Sequence, residues 1–323
     1  MTFIQIAIQI AILLIGFLLL VKGADFFVDG SSGIARIFQI PSIVIGLTIV
    51  AFGTSLPELA VSLTSALKGI NGIAIGNVVG SNIVNLMLVA GATALISPIP
   101  VGKSLLNKDF PFSILITVAL LTLMADTFLS GSTNLTISRG DGIILLVLFS
   151  IFMYSTVSYS LANRQEESNE ESEKTPLWKS IVLSVTGLAG VIAGGQMVVK
   201  SASSIAAAAG MSDTLIGLTV VAFGTSLPEL VTSLIAAKKG ENDIAIGNVV
   251  GSNIFNILFI LGLSATISPM ANVDPNIIAD SLILIAFSTV VWICAKPKLQ
   301  LGRTTGLFML ILFAAYNVYI FMR

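Results

Sequence analysis

Glu58 and Glu229 stand where a carboxylate is expensive. Each lies in an apolar run long enough to cross a bilayer, and each belongs to the same string, AFGTSLPEL, at 51–59 and again at 222–230. An acid at the centre of a membrane helix costs roughly 2.5–3.5 kcal/mol on insertion scales, and this chain accepts that cost twice. The preceding residue is Pro57 or Pro228, which cannot donate to the carbonyl four residues back, that of Gly53 or Gly224. Bare carbonyls are tolerated at membrane depth only where they line a cavity or find a partner. Thr54, Ser55, Thr225 and Ser226 add hydroxyl oxygens one turn before each acid. A second repeated string, GNVVGSNIVN at 76–85 and GNVVGSNIFN at 247–256, sets Ser81 with Asn85 and Ser252 with Asn256 at i and i+4, on one helix face. The donor inventory is carboxylate, hydroxyl, carbonyl and amide oxygen. Hard cations such as calcium and sodium want that set, whereas zinc or copper would call for nitrogen or sulfur.

Apolar segments must position these groups. The 323 residues are 55% hydrophobic and 10% charged, with a mean hydropathy of +0.99, against about 25% charged residues in a soluble domain. The fold class expected is therefore an all-α polytopic membrane protein. At roughly 20 apolar residues per span, the breaks predict ten transmembrane helices over 3–22, 43–67, 72–98, 111–128, 140–160, 178–200, 214–237, 244–269, 277–295 and 304–321. Residues 2–21 lack a basic leader and a small-residue cleavage site, so they read as a retained first helix. Helices 2, 3, 7 and 8 carry the repeated strings and are expected to be broken and to form the ion site.

The strings recur at one offset of 171 (229−58, 252−81, 256−85), and from Ile45 to Pro98 about two-thirds of positions match their partners without a gap. The expected organisation is a first five-helix repeat over 1–162, an acidic linker over 163–177 and a second repeat over 178–323. An odd number of spans per unit means the second copy enters from the opposite side, giving an inverted repeat. With both termini outside, all of the 16 basic residues except Lys68, Arg139, Lys200 and Arg323 fall on the cytoplasmic side, together with the linker.

Other features read as structural. The absence of histidine excludes a Ser-His triad and an imidazole metal site, and with no paired GxGD-type aspartates an intramembrane protease is disfavoured, so the chain is not read as an enzyme. Nothing basic enough for nucleic acid is present. Cys294 is a small apolar residue of a membrane helix. Gly76, Gly80, Gly247 and Gly251 have the spacing of helix packing sites, and Asn77, Asn82, Asn248 and Asn253 are expected to bond between helices. Asp25 and Asp29 are read as solvated residues at the cytoplasmic end of helix 1.

GTSLPEL with GNVVGSNI in both halves resembles the α-repeats of the calcium/cation antiporter superfamily, and specifically its prokaryotic-type sodium/calcium exchangers. The resemblance covers essentially the whole chain. It implies that Glu58 and Glu229 are the central ion ligands, that Thr54, Ser55, Thr225 and Ser226 contribute hydroxyl or carbonyl oxygens, that Ala51 and Ala222 offer backbone carbonyls, and that Ser81, Ser252, Asn85 and Asn256 complete the ring. It also implies one calcium and several sodium positions, no cofactor, and two helices, the first and sixth, that shift across a rigid core. Some relatives carry Asp where this chain has Asn85 or Asn256, so potassium dependence is less expected here.

The function expected is sodium/calcium antiport across the cell membrane by a functional monomer. Two ionised carboxylates are neutralised by one calcium and left at one positive charge by three sodium ions, so three-for-one exchange is electrogenic. Protons are expected to compete with calcium for the same oxygens. The alternatives are a calcium/proton antiporter, a potassium-dependent exchanger, and a channel.

Overall fold

Chain segments this apolar have no water to satisfy their amides, so helix is the available solution. A computed structural model describes residues 3–125, 135–163, 176–211 and 222–322. Within them lie α1 (Phe3–Phe38), α2 in two pieces (Ser42–Thr54 and Leu56–Leu67), α3 (Asn71–Ile96), α4 (Leu105–Met124) and α5 (Arg139–Ala162). They are followed by α6 (Leu177–Ala208), α7 in two pieces (Ala222–Thr225 and Leu227–Lys238), α8 (Asn242–Ile267), α9 (Asn276–Ala295) and α10 (Arg303–Met322). Among the described residues eight helices are long and apolar enough to cross a membrane, or nine when the bent α2 pair counts as one span. The fold is an all-α polytopic membrane fold. Residues 214–221 of the expected seventh helix, most of the expected linker and the end of the expected fourth helix lie outside the described residues.

Two expectations about the helices need correction. Helix 1 does not stop at residue 22 but runs for 36 residues to Phe38, about 54 Å at 1.5 Å per residue, because GADFFVDGSSG has no proline to end it. Its glycines are accommodated rather than helix-breaking. Helices 3 and 8 are not broken. Each stays continuous through a π-helical stretch, Val84–Val89 and Phe255–Leu261, where the hydrogen-bond ladder loosens by one residue without a kink. The two pieces of α2 meet at a bend of 49°.

Burial sorts the helices. In α8 94% of the apolar window is buried and in α3 72%, whereas in α1 only 11% is. The α3 and α8 pair is therefore the centre of the bundle and α1 lies at its edge. Short antiparallel pairings tie one half to the other: Ile99–Pro100, after α3, pairs with Gln300–Leu301, and Met270–Val273, after α8, pairs with Leu135–Ile137. Strands so short have no periodic signature, and the all-helical reading omitted them. Cys294 is on the exposed side of α9.

Glycine sets the closest helix approaches. A Cβ on Gly23 of α1 would come within 2.6 Å of the Val191 backbone nitrogen, and one on Gly194 of α6 within 2.5 Å of that of Leu20. The glycine faces of α1 and α6 thus close on each other. Gly247 and Gly251 pack in the same way against Gly46, Leu47 and Ala51 of α2. For Gly76 and Gly80 no described atom lies within 4 Å of an added Cβ; Gly217 and Leu218, the equivalents of Gly46 and Leu47 at the repeat offset, lie outside the described residues. Asp25 and Asp29 are not merely solvated. Both ion-pair with Lys239 at the end of α7, at 2.6 and 2.7 Å, and Arg36 pairs with Glu241 at 2.9 Å, so charged contacts join the end of α1 to the α7–α8 turn.

Replacing Gly23 by Leu is expected to destabilise the protein by about 1–3 kcal/mol through overpacking, read as a lower thermal midpoint in detergent. Gly102→Ala, where nothing lies within 4 Å, should leave the midpoint unchanged.

Candidate functional site

Both repeated motifs make the same local structure. The first piece of α2 ends at Thr54, Ser55 adopts φ −85° and ψ 6°, and Pro57 sits in the first turn of the next piece. In α7 the break falls at Ser226, with φ −88° and ψ 5°, and Pro228 occupies the equivalent turn. Proline is well suited to a helix start, where its missing N–H would have no partner anyway. Glu58 and Glu229 therefore occupy first turns, where a helix N-terminus favours negative charge.

The two acids are fully buried and face each other's motif. Ser55, one turn before Glu58, donates its hydroxyl to Glu229 Oε1 at 3.1 Å, and Ser226, one turn before Glu229, reaches Glu58 Oε1 at 3.5 Å. Thr225 also faces Glu58, while Thr54 and Ser252 also face Glu229. This crossing is possible only if the bends of α2 and α7 meet at the same depth, so the symmetric acids converge on one place. The second oxygen of each, Oε2, is buried and has no hydrogen-bond partner.

Asparagine struts hold the motifs against α3 and α8. Asn77 Nδ2 donates to the Glu58 carbonyl at 3.3 Å and to Ser62 Oγ at 2.9 Å. In the second half Asn248 Nδ2 donates to the Glu229 carbonyl at 3.4 Å and to Ser233 Oγ at 3.0 Å. Asn248 also accepts from Thr54 Oγ1 at 3.0 Å, which links the second half's strut to the first half's motif. The interhelical role expected for these residues is what they perform.

Ser81, Ser252, Asn85 and Asn256 are buried, and Ser252 Oγ approaches the Ala51 carbonyl at 3.5 Å. Ala222 begins the described part of α7. Asn85 Oδ1 and Asn256 Oδ1 are buried without partners. Among the described residues no group of three or more acidic, cysteine or histidine side chains gathers, so the charge at the site is that of two carboxylates. Buried oxygens left over by the protein's own hydrogen bonds are costly unless something else meets them. The two leftover carboxylate oxygens suit a hard cation, and the buried amide oxygens of Asn85 and Asn256 are donors of the same kind.

Residues 8–157 and 179–322 match the family described as sodium/calcium exchanger protein. The putative antiporter CaxA of Alkalimonas amylolytica is 40% identical, over 95% of this chain and 97% of that protein. The sodium/calcium exchanger MaX1 of Methanosarcina acetivorans is 32% identical, over 98% of this chain and 99% of that one. A solved structure of the sodium-calcium exchanger NCX_Mj, soaked with zero Na+ and Ca2+, superposes with a TM-score of 0.83 at 36% identity, covering 98% of this chain and 99% of that chain.

By the bonds resolved among the described residues, Asn248 braces three partners and Asn77 two. Asn248→Ala is therefore expected to lower the thermal midpoint further than Asn77→Ala, each leaving buried polar groups unmet at about 1–3 kcal/mol; equal midpoints would argue against the bracing role.

Proposed function

Because the chain belongs to the sodium/calcium exchanger protein family, we propose that it is a secondary active antiporter exchanging sodium for calcium across the cell membrane by alternating access. The observation that carries this reading is the crossed pair of hydroxyl bonds, Ser55 to Glu229 and Ser226 to Glu58, with one oxygen of each acid left over. Glu58 and Glu229 are the central ligands. Thr54, Ser55, Thr225, Ser226, Ser81, Ser252, Asn85 and Asn256 supply neutral oxygens, and Ala51 and Ala222 supply carbonyls. The chain is a transporter rather than an enzyme, and the ions are its cargo.

Ten spans in two inverted five-helix repeats, 1–162 and 178–323 around the 163–177 linker, place both termini outside and the linker in the cytoplasm. The twofold character of the contacts supports that arrangement, since Asn82 and Asn253 exchange equivalent bonds across the centre. Two carboxylates balance one calcium ion, and three sodium ions leave one positive charge. Each cycle then moves one net charge, worth about 2.3 kcal/mol per 100 mV, so an inside-negative potential draws sodium in and drives calcium out. The glycine contact of α1 with α6 favours a moving unit made of those two helices, sliding as a pair against the remainder.

In proteoliposomes with sodium, proton and potassium gradients imposed one at a time, sodium is expected to drive calcium flux and the other two are not. Glu58→Gln or Glu229→Gln should abolish that flux while leaving the protein folded; wild-type rates in either variant would refute the assignment. Cation ligands must be deprotonated to bind, so acidification lowers affinity. Half-saturating calcium should rise as the pH is taken from about 8 to about 5, and an unchanged value would count against two carboxylate ligands.

A further inference from the structure

Three amides are joined between α3 and α8, and they are not equivalent. Asn82 Nδ2 donates to the Asn253 carbonyl at 3.1 Å, and Asn253 Nδ2 donates to the Asn82 carbonyl at 3.2 Å. A carbonyl oxygen only accepts, so both amide nitrogens are committed to the crossing. The Oδ1 of each is then the group that remains. Asn82 uses it to accept from Asn256 Nδ2 at 2.9 Å. That bond turns the nitrogen of Asn256 toward Asn82, and its Oδ1 is buried without a protein partner.

Resting on the exchanger reading above, we infer that Asn82 is a positioning residue that sets the Asn256 amide oxygen-first toward the transported cations. The two ends of a carboxamide are nearly equal in size, so packing alone does not choose between them. Chemistry does: the oxygen ligates a hard cation, and the NH2 end presents hydrogens to it. Asn82 settles the choice by offering an acceptor to the nitrogen, and its own orientation is set in turn by the backbone of α8. Partners that orient a ligand in this way are worth about 10–100-fold in metal affinity.

The other half carries the same residues without the same bond. At the repeat offset the equivalent pair is Asn85 Nδ2 and Asn253 Oδ1, and both atoms are buried without partners. The orienting contact therefore belongs to Asn256 and not to Asn85 in this conformation.

The test compares full-length wild type, N82A, N256D and the double variant by equilibrium calcium binding in detergent and by the calcium dependence of sodium-driven flux in proteoliposomes. A carboxylate at 256 presents oxygen whichever way it turns and needs no orienting partner. N82A is expected to raise half-saturating calcium by about 10–100-fold, with a smaller change in maximal flux. In the N256D background the same substitution should shift half-saturation by less than about twofold. An equal loss in both backgrounds would make Asn82 a helix–helix bond alone and overturn the inference, as would no loss in either. Should N82A fail to elute as a folded protein, N82S, whose shorter hydroxyl side chain removes the amide acceptor, takes its place with the same expectations. If wild type neither binds calcium nor moves it under a sodium gradient, the exchanger reading itself fails and this inference falls with it. The wild-type binding measurement separates that failure from a failure of the positioning role.

Discussion

Two carboxylates buried in an apolar bundle are affordable only if their charge is met. Each of Glu58 and Glu229 has one oxygen bonded by a serine of the opposite motif and one oxygen left over. The surrounding architecture follows from keeping those acids in reach of each other. Bends at Ser55 and Ser226 place them in first turns of helix, prolines start those turns without wasting a donor, and Asn77 and Asn248 clamp the carbonyls of the acids themselves. Remove any of these and an acid is left in low dielectric with less to offset its desolvation.

The same constraint accounts for how the halves are combined. Each acid's partner lies in the other repeat, so neither half completes a site alone. The central helices α3 and α8 are the most buried elements and exchange amide bonds, while the short strand pairings stitch each repeat's loops to the other's. Against this interlocked centre, α1 and α6 form a pair of a different kind. Their contact is glycine against backbone at Gly23, Gly187 and Gly194, and α1 is further held by ion pairs at the α7–α8 turn. Dense polar bonding holds the two acids, and a close glycine contact lies beside it.

Much of this was legible in the chain itself because the costs are local. A proline before an acid inside an apolar run is unfavourable wherever it occurs, and its recurrence with hydroxyls at a constant offset points to one shared oxygen-lined site. The bonding role of Asn77, Asn82, Asn248 and Asn253 was legible for the same reason, since an amide in such a helix must find a partner. The reach of α1 past residue 22 was not, because glycines that look like a helix end are instead the face that lets α6 approach. Nor were the π-helical stretches of α3 and α8, which leave the apolar pattern unaltered. The salt bridges of Asp25 and Asp29 depend on Lys239, more than two hundred residues away.

Residue types and their repetition thus determined the class of protein, the two-part organisation and the oxygen chemistry of the site, since each rests on what a side chain costs in an apolar environment regardless of its neighbours. Tertiary structure alone decided which oxygens are used and which are spare. Asn85 and Asn256 are the same letter in matching strings, yet one donates to a neighbouring amide at 2.9 Å and the other does not. Hydrogen bonds weaken steeply with distance and angle, so that difference is set by how α3 and α8 cross.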